Sequence, residues 1–348
     1  SLFDPIRVGA LDLPNRLVMA PMTRSRADDD GVPAAFVADY YAQRATAGLI
    51  VTEAIYVSPM AKGYVRTPGL VTDAQIAAWT RVTSAVHKAG GRIFAQLYHT
   101  GRVALPDFLP GGAQPVAPSA IAIAGKNKTD DGPKDFVVPR ALETDEIAGV
   151  AGEFAAAALR AMEAGFDGVE LHAASGYLIH QFLDPTINLR DDIYGGSVEN
   201  RARFLLLTAD RTAEAIGRER VGVKLSPQIK FNDVKDPDAE ALYPHVAREL
   251  SSRGLAYLHA AKQGAYDVHA ALRPVYKGVY AAGGGLDAAS GAALLQAGGA
   301  DLIVYGKPYL ANPDLVRRFR DGLALAQPDG ATIYSGGAQG YVDYPPAA

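Results

Sequence analysis

Short apolar runs alternate with longer helix-like stretches along most of the chain. Runs too short for helices predict strands at residues 17–20, 49–52, 93–97, 168–172, 221–225, 256–259, 279–282 and 302–305. The stretches between them predict helices over 35–46, 73–89, 144–164, 198–216, 239–253, 268–276, 288–297 and 313–321. Several of these helices carry end signals. Thr72 and Gln75 form a capping-box pattern, and Gly90, Gly165, Gly217, Gly254 and Gly298 fall where a helix C-terminus turns left-handed. Eight strand–helix units in alternation predict one (β/α)8 TIM barrel over residues 1–348. A doubly wound sheet would need a crossover reversal and a glycine fingerprint near its first strand, and the sequence has neither.

Two connections are too long for simple turns. Residues 101–141, rich in Pro and Gly, and residues 173–197 both follow strands, so they are expected as rim or cap insertions at the catalytic end of the barrel. Residues at those strand ends form a coherent chemical set. Thr23 follows the first strand, Ala54 the second, Gln96 and His99 flank the third, His172 ends the fourth and Lys224 lies in the fifth. Gly283, Gly284 and Gly285 follow the seventh strand, while Gly306 and Lys307 follow the eighth. Glycine-rich loops beside a lysine at strands seven and eight suit a phosphate. Farther in, the Lys224 cation, the Gln96 amide and the Thr23 hydroxyl suit the edge of a planar heterocycle. A fixed cation at that edge stabilises the negative charge of a reduced flavin.

Composition removes other classes. The 348 residues are 49% hydrophobic and 21% charged, ordinary for a globular protein with a filled core. A net charge of −4 without a basic cluster argues against a nucleic-acid partner. The count of zero cysteines excludes disulfides, thiolate zinc, a cysteine nucleophile and cysteine-held iron–sulfur clusters; no metal site is expected. No HExxH helix or G-x-S-x-G elbow supports a hydrolase. The first fifteen residues lack a basic stretch followed by an apolar one, and no run of about 18 apolar residues follows, so a cytoplasmic protein off the membrane is expected.

A series of segments then carries a resemblance. NRLVMAPMTRSR from Asn15, YYAQRATAGLIVTEA from Tyr40, AQLYHTGR from Ala95, GFDGVELHAASGYLIHQFLDP from Gly165, NLRDDIYGGSVENRARF from Asn188, GGADLIVYGKPYLANPDL from Gly298 and GYVDYP from Gly340 are similar, in order, to those of the Old Yellow Enzyme family. The likeness spans nearly the whole chain and is nearest the bacterial nitroester and N-ethylmaleimide reductases. It implies an ene-reductase with non-covalent FMN across the barrel mouth, NADPH or NADH as reductant, and enone, maleimide or nitro substrates. Pro21, Met22, Thr23 and Ala54 would then contact the ring, with Gln96 and Lys224 at its pyrimidine edge and Gly283, Gly284, Gly306 and Lys307 at the phosphate. Hydride would pass from flavin N5 to the substrate β-carbon, with His172 and Ser175 holding the activating oxygen and Tyr177 donating a proton to the α-carbon. Tyr64, Tyr98, Phe231 and Tyr334 would line the substrate pocket.

The chain departs from the family pattern at four of these positions. Ser175 stands where His or Asn is usual, Lys224 and Lys307 where Arg is usual, and Tyr98 where Trp is common. A shorter anchor at Ser175 implies weaker capture of simple enones, and a lysine loses the bidentate fork of arginine, implying weaker FMN binding. These departures keep a second reading open: a specialised biosynthetic flavin reductase or isomerase acting on one natural product. Without a separate nicotinamide domain, NAD(P)H and substrate are expected to alternate over one flavin face, in ping-pong order. The protein is expected to be a monomer or homodimer.

Overall fold

The structure is a computed structural model describing residues 1–348. Eight parallel strands close into a barrel: β1 (Leu17–Met19), β2 (Leu49–Tyr56), β3 (Ile93–Tyr98), β4 (Gly168–His172), β5 (Val221–Leu225), β6 (Tyr257–Ala261), β7 (Tyr280–Gly283) and β8 (Leu302–Tyr305). Each pairs with its sequence neighbours, and β8 closes onto β1 through Ile303↔Leu17 and Tyr305↔Met19. The expected (β/α)8 TIM barrel is present.

One principal helix follows each strand: α1 (Val37–Ala42), α2 (Asp73–Lys88), α3 (Ile147–Glu163), α4 (Val198–Ile216), α5 (Ala239–Arg253), α6 (Val268–Leu272), α7 (Ala288–Gln296) and α8 (Leu315–Asp321). The capping box forms, with Thr72 Oγ1 accepting from the Gln75 N–H at 3.3 Å and Gln75 Oε1 from the Thr72 N–H at 3.1 Å. All five expected C-terminal glycines take positive φ. Three helices, α1, α3 and α6, are shorter than their sequence pattern by four residues or more. In α1, Val37–Ala42 replaces the expected 35–46, because Arg44 turns back to donate to the Tyr40, Tyr309 and Leu310 carbonyls.

The chain also holds elements the alternation does not signal. A hairpin of Ile6–Val8 and Leu11–Leu13 precedes the barrel. Its Val8 and Leu13 pack with Val18, Leu49, Phe94 and Leu302 inside the barrel. That hairpin closes the end opposite the long loops. Long connections follow β3 and β4. The first carries a hairpin of Lys126–Thr129 with Gly132–Asp135, and the second a buried helix, Leu178–Leu183.

Strand β2 is longer than the apolar run implies. It continues through Thr52 and Glu53 to Tyr56, with a register shift between Val51 and Ala54. Ala54 is therefore inside a strand rather than after one. Thr52 and Glu53 find partners there: Thr52 Oγ1 donates to the Glu53 carbonyl at 2.9 Å and Tyr41 Oη lies 3.3 Å from Glu53 Oε1, while Glu53 Oε2 is left without one.

Candidate active site

At the C-terminal ends of the strands a cavity of about 750 Å³ opens between the insertions. Pro21, Met22, Thr23, Ala54, Gln96, His172, Ser175, Tyr177, Lys224 and Lys307 all face it, together with Tyr64, Phe231 and Tyr334. A wider groove of about 940 Å³ runs along residues 228–235 and 263–265. It shares only Phe231 with the expected set.

Strand register explains the convergence. In a strand every second side chain shares a face, so Glu170 and His172 both point into the barrel. His172 is in register with Lys224, Lys224 with His259, and Glu170 with Gln96. After His172 the chain turns sharply: Ser175 has φ 58° and Gly176 φ 74°. The turn is braced by the Ser175 N–H donating to Ser226 Oγ at 2.9 Å and by Asn232 Nδ2 donating to the Ser175 carbonyl at 2.9 Å. Beneath it, His180 is buried 3.0 Å from Asp236 Oδ2 and 3.0 Å from Tyr243 Oη, a structural brace. This turn delivers Tyr177 back over His172, with ring centroids 4.8 Å apart and planes at 90°.

The electrostatics favour neutral donors. Burial and the neighbouring Lys224 charge hold the His172 imidazole well below its usual pKa, so it is neutral at physiological pH, and its Nδ1 has no protein partner. Burial, with Tyr64 and Tyr98 close by, raises the Tyr177 phenol well above its ordinary value, keeping its proton in place. Tyr177 Oη lies 3.0 Å from Tyr64 Oη. Desolvation pushes the partly buried Tyr64 up to about 12. Lys224 and Lys307 make no ion pair with the protein, which leaves two cations facing the cavity.

The remaining expected residues lie nearby but off the cavity wall. Tyr98 was expected in the pocket; it is fully buried behind the site, its ring 5.1 Å from Tyr177 and 6.2 Å from His172, because β3 turns it inward beneath them. Gly283 ends β7, Gly284 follows it, and Gly306 precedes Lys307 after β8. Gly283 is held from behind by His269, whose Nε2 is 3.0 Å from the Gly283 carbonyl and whose Nδ1 is 3.0 Å from Tyr280 Oη. Phe231 (47% exposed) and Tyr334 (63% exposed) sit at the rim.

Two groups of polar residues at the site escaped the sequence reading. The first surrounds Glu170, fully buried, which faces Gln96 Nε2 at 2.8 Å, Tyr257 Oη at 3.0 Å and His259 Nδ1 at 3.1 Å. Gly222 makes room for it, since a Cβ there would lie 2.4 Å from Cζ of Tyr257. The signal was a polar residue at 170 within an apolar strand. The second group is Arg24 and Arg26, present in the first quoted segment without an assigned role. Both are buried and clamp residues 330–341, which carry Tyr334 over the cavity.

The residues suit a flat, anionic, hydrogen-bonding ligand such as FMN. Gln96 Oε1 has no protein partner, Lys224 and Lys307 supply unpaired positive charge, and the volume accepts a tricyclic ring with room above it. Comparison with known proteins agrees with that fit. Residues 1–326 match the family model described as NADH:flavin oxidoreductase / NADH oxidase. The chain is 42% identical to a probable flavin mononucleotide-dependent alkene reductase of Leishmania infantum, covering 99% of this chain and 97% of that one. It is 41% identical to 12-oxophytodienoate reductase 1 of Oryza sativa subsp. japonica, covering 99% and 92%. Among solved structures, morphinone reductase in complex with tetrahydroNAD superposes with a TM-score of 0.96 at 48% identity, covering 100% and 98%. An old yellow enzyme homologue from Zymomonas mobilis superposes with a TM-score of 0.97 at 42% identity, covering 99% of each chain.

Proposed function

The chain belongs to the NADH:flavin oxidoreductase / NADH oxidase family, and from that premise we propose how its cavity performs ene-reduction. The protein is an FMN-dependent NAD(P)H oxidoreductase that reduces activated C=C bonds. FMN, when bound, supplies the redox chemistry, taking two electrons from NAD(P)H and passing them on to the alkene. Gln96, Lys224 and Thr23 would hold its polar edge, Pro21, Met22 and Ala54 would lie against the ring, and Lys307 with Gly283, Gly284 and Gly306 would receive the phosphate. The substrate is a compound whose C=C bond is conjugated to a carbonyl or nitro group.

His172 donates a hydrogen bond to the substrate's activating oxygen. As a neutral imidazole it can direct one N–H there without a competing positive charge of its own. Ser175, shorter than the usual partner residue, assists through its hydroxyl or through water. Charge building on that oxygen is stabilised by donors already in place. Tyr177 delivers the proton to the α-carbon from Oη, and Tyr64, 3.0 Å behind it, holds the phenol in position. The rim aromatics Tyr64, Phe231 and Tyr334 exclude water and shape the entrance.

The observation carrying this reading is the meeting of His172, Tyr177, Gln96 and Lys224 in one cavity from separate strands and loops. The relatives described above are named reductases, which favours net reduction over the isomerase reading. The test is a visible spectrum followed by anaerobic titration with NADPH and reoxidation by cyclohexenone or N-ethylmaleimide. A flavin band that bleaches and returns on adding the alkene is the expected result. A colourless protein, or reduced flavin that neither acceptor reoxidises, would overturn it.

A further inference from the structure

Glu170 is unusual in its layer. Just below it the barrel interior is apolar, filled by Val18, Val51, Phe94 and Val304, so the fold itself does not call for a carboxylate here. Burying one costs several kcal/mol unless charges and hydrogen bonds compensate. Compensation is present from two strands: β3 through Gln96, and β6 through Tyr257 and His259, all converging on β4. Burial pushes the Glu170 carboxyl up, but His259, Lys224 and Gln96 more than offset this and hold it below its usual pKa, so it is ionised.

Two consequences follow for the cavity above. A carboxylate only accepts hydrogen bonds, so Gln96 must turn Nε2 toward Glu170, which leaves Oε1 as the end presented to a ligand. Lys224, without a protein hydrogen-bond acceptor or an ion pair within reach, still feels the Glu170 carboxylate. Its charge toward the cavity is thereby reduced.

We propose that Glu170 is a positioning residue for the flavin, fixing the Gln96 amide with its oxygen toward the ligand and offsetting the Lys224 charge, so that it sets both FMN affinity and reduction potential. This rests on the reading that Gln96 and Lys224 border FMN. Because Glu170 acts through those two side chains, its removal has a directional signature that general damage to the site lacks.

The experiment measures FMN dissociation and the two-electron potential of bound FMN, by dye equilibration, in wild type, Glu170→Gln and Tyr257→Phe. Glu170→Gln leaves Lys224 uncompensated and frees the Gln96 amide to flip. The expected result is a potential raised by about tenfold in the reduction equilibrium, ~30 mV for two electrons, with weaker FMN binding. Tyr257→Phe removes a donor but keeps the carboxylate, and its reduction equilibrium is expected within about threefold of wild type. An unchanged or lowered potential in Glu170→Gln, or an equal shift in Tyr257→Phe, overturns the proposal. If Glu170→Gln does not fold, Glu170→Asp takes its place, keeping the charge while drawing the oxygens away from Gln96. Weakened FMN binding then supports the proposal and unchanged binding overturns it. Wild-type protein that binds no FMN at all would instead remove the underlying flavin reading.

Discussion

The floor of the cavity and its C-terminal rim are both organised around buried charge, but the partners differ in kind. On the floor, Glu170 is met by side chains: Gln96, Tyr257 and His259, each from a fixed place in a strand. At the rim, Arg26 is met by main chain. Its guanidinium donates to the carbonyls of Thr332, Ile333, Ser335, Gly337 and Gln339 at 2.8 to 3.2 Å. Arg24 adds the carbonyls of Ile333 and Gly340, and Tyr341 stacks on Tyr40 with centroids 3.9 Å apart. A region held side chain to side chain depends on the identity of every member. One held through carbonyls depends on the arginines and is indifferent to most of what it grips.

The strongest test of that contrast is on the side-chain-built part. Tyr177→Phe removes the phenol set over His172, the proposed proton donor. Turnover of enones is expected to fall about 100- to 10,000-fold, with flavin reduction by NADPH retained, in stopped-flow measurements of the two half-reactions. Equal loss in both half-reactions would point to collapse of the site instead.

Next comes a pH effect beneath the rim. Burial pushes the Glu53 carboxyl from 4.5 up to about 7, despite Arg24 and Arg26 nearby. Folding therefore favours the protonated form, and the native state binds more protons than the unfolded one between these values. Stability is greatest below pH 4.5 as far as this group is concerned and is lost as pH rises through about 7, by ~3 kcal/mol in all. Urea denaturation of wild type and Glu53→Gln at pH 5 and 7.5 checks this, the variant lacking that part of the slope.

A smaller effect is expected from Arg26→Ala, about 2 kcal/mol of stability, because the freed carbonyls lie near enough to solvent to be rehydrated. Limited proteolysis should then cut within residues 330–341, and KM should rise more than kcat falls. Smallest of all is Tyr334→Ala. The side chain is 63% exposed and the strap is gripped through its backbone, so KM for cyclohexenone should change by less than about threefold, with the melting temperature unaltered. A large loss of stability at Tyr334 would erase the distinction between the two regions.

The same distinction explains what could be read from the sequence. All eight barrel strands are legible because a parallel strand buried on both faces leaves a continuous apolar run. Legibility failed where polar residues are buried with partners distant in sequence. Thr52 and Glu53 read as the end of β2 because the Tyr41 hydroxyl that meets one Glu53 oxygen cannot be seen in one dimension. The short hairpin at Ile6–Val8 has three residues per strand, too few for periodicity to register. Most of the expected cavity residues meet because they sit at strand ends, where the barrel itself sets their position. Tyr98 stands on the same face of β3 as Gln96, but His172 and Tyr177, brought in from β4 and the turn after it, pack against its ring, and that packing has no trace in the local sequence pattern. Glu170 carried a signal, a lone carboxylate in an apolar run, but its meaning needed the three donors around it. The arginine clamp carried none, because backbone carbonyls have no sequence.

Gripping a loop by its carbonyls makes it an interchangeable visor. The residues between the clamped points can be rewritten, shortened side chain by side chain or exchanged for those of a relative, while the hinge that carries them stays bolted to Arg24 and Arg26. Acceptance of new molecules at the entrance can thus drift, or be engineered, without reopening the question of whether the barrel folds.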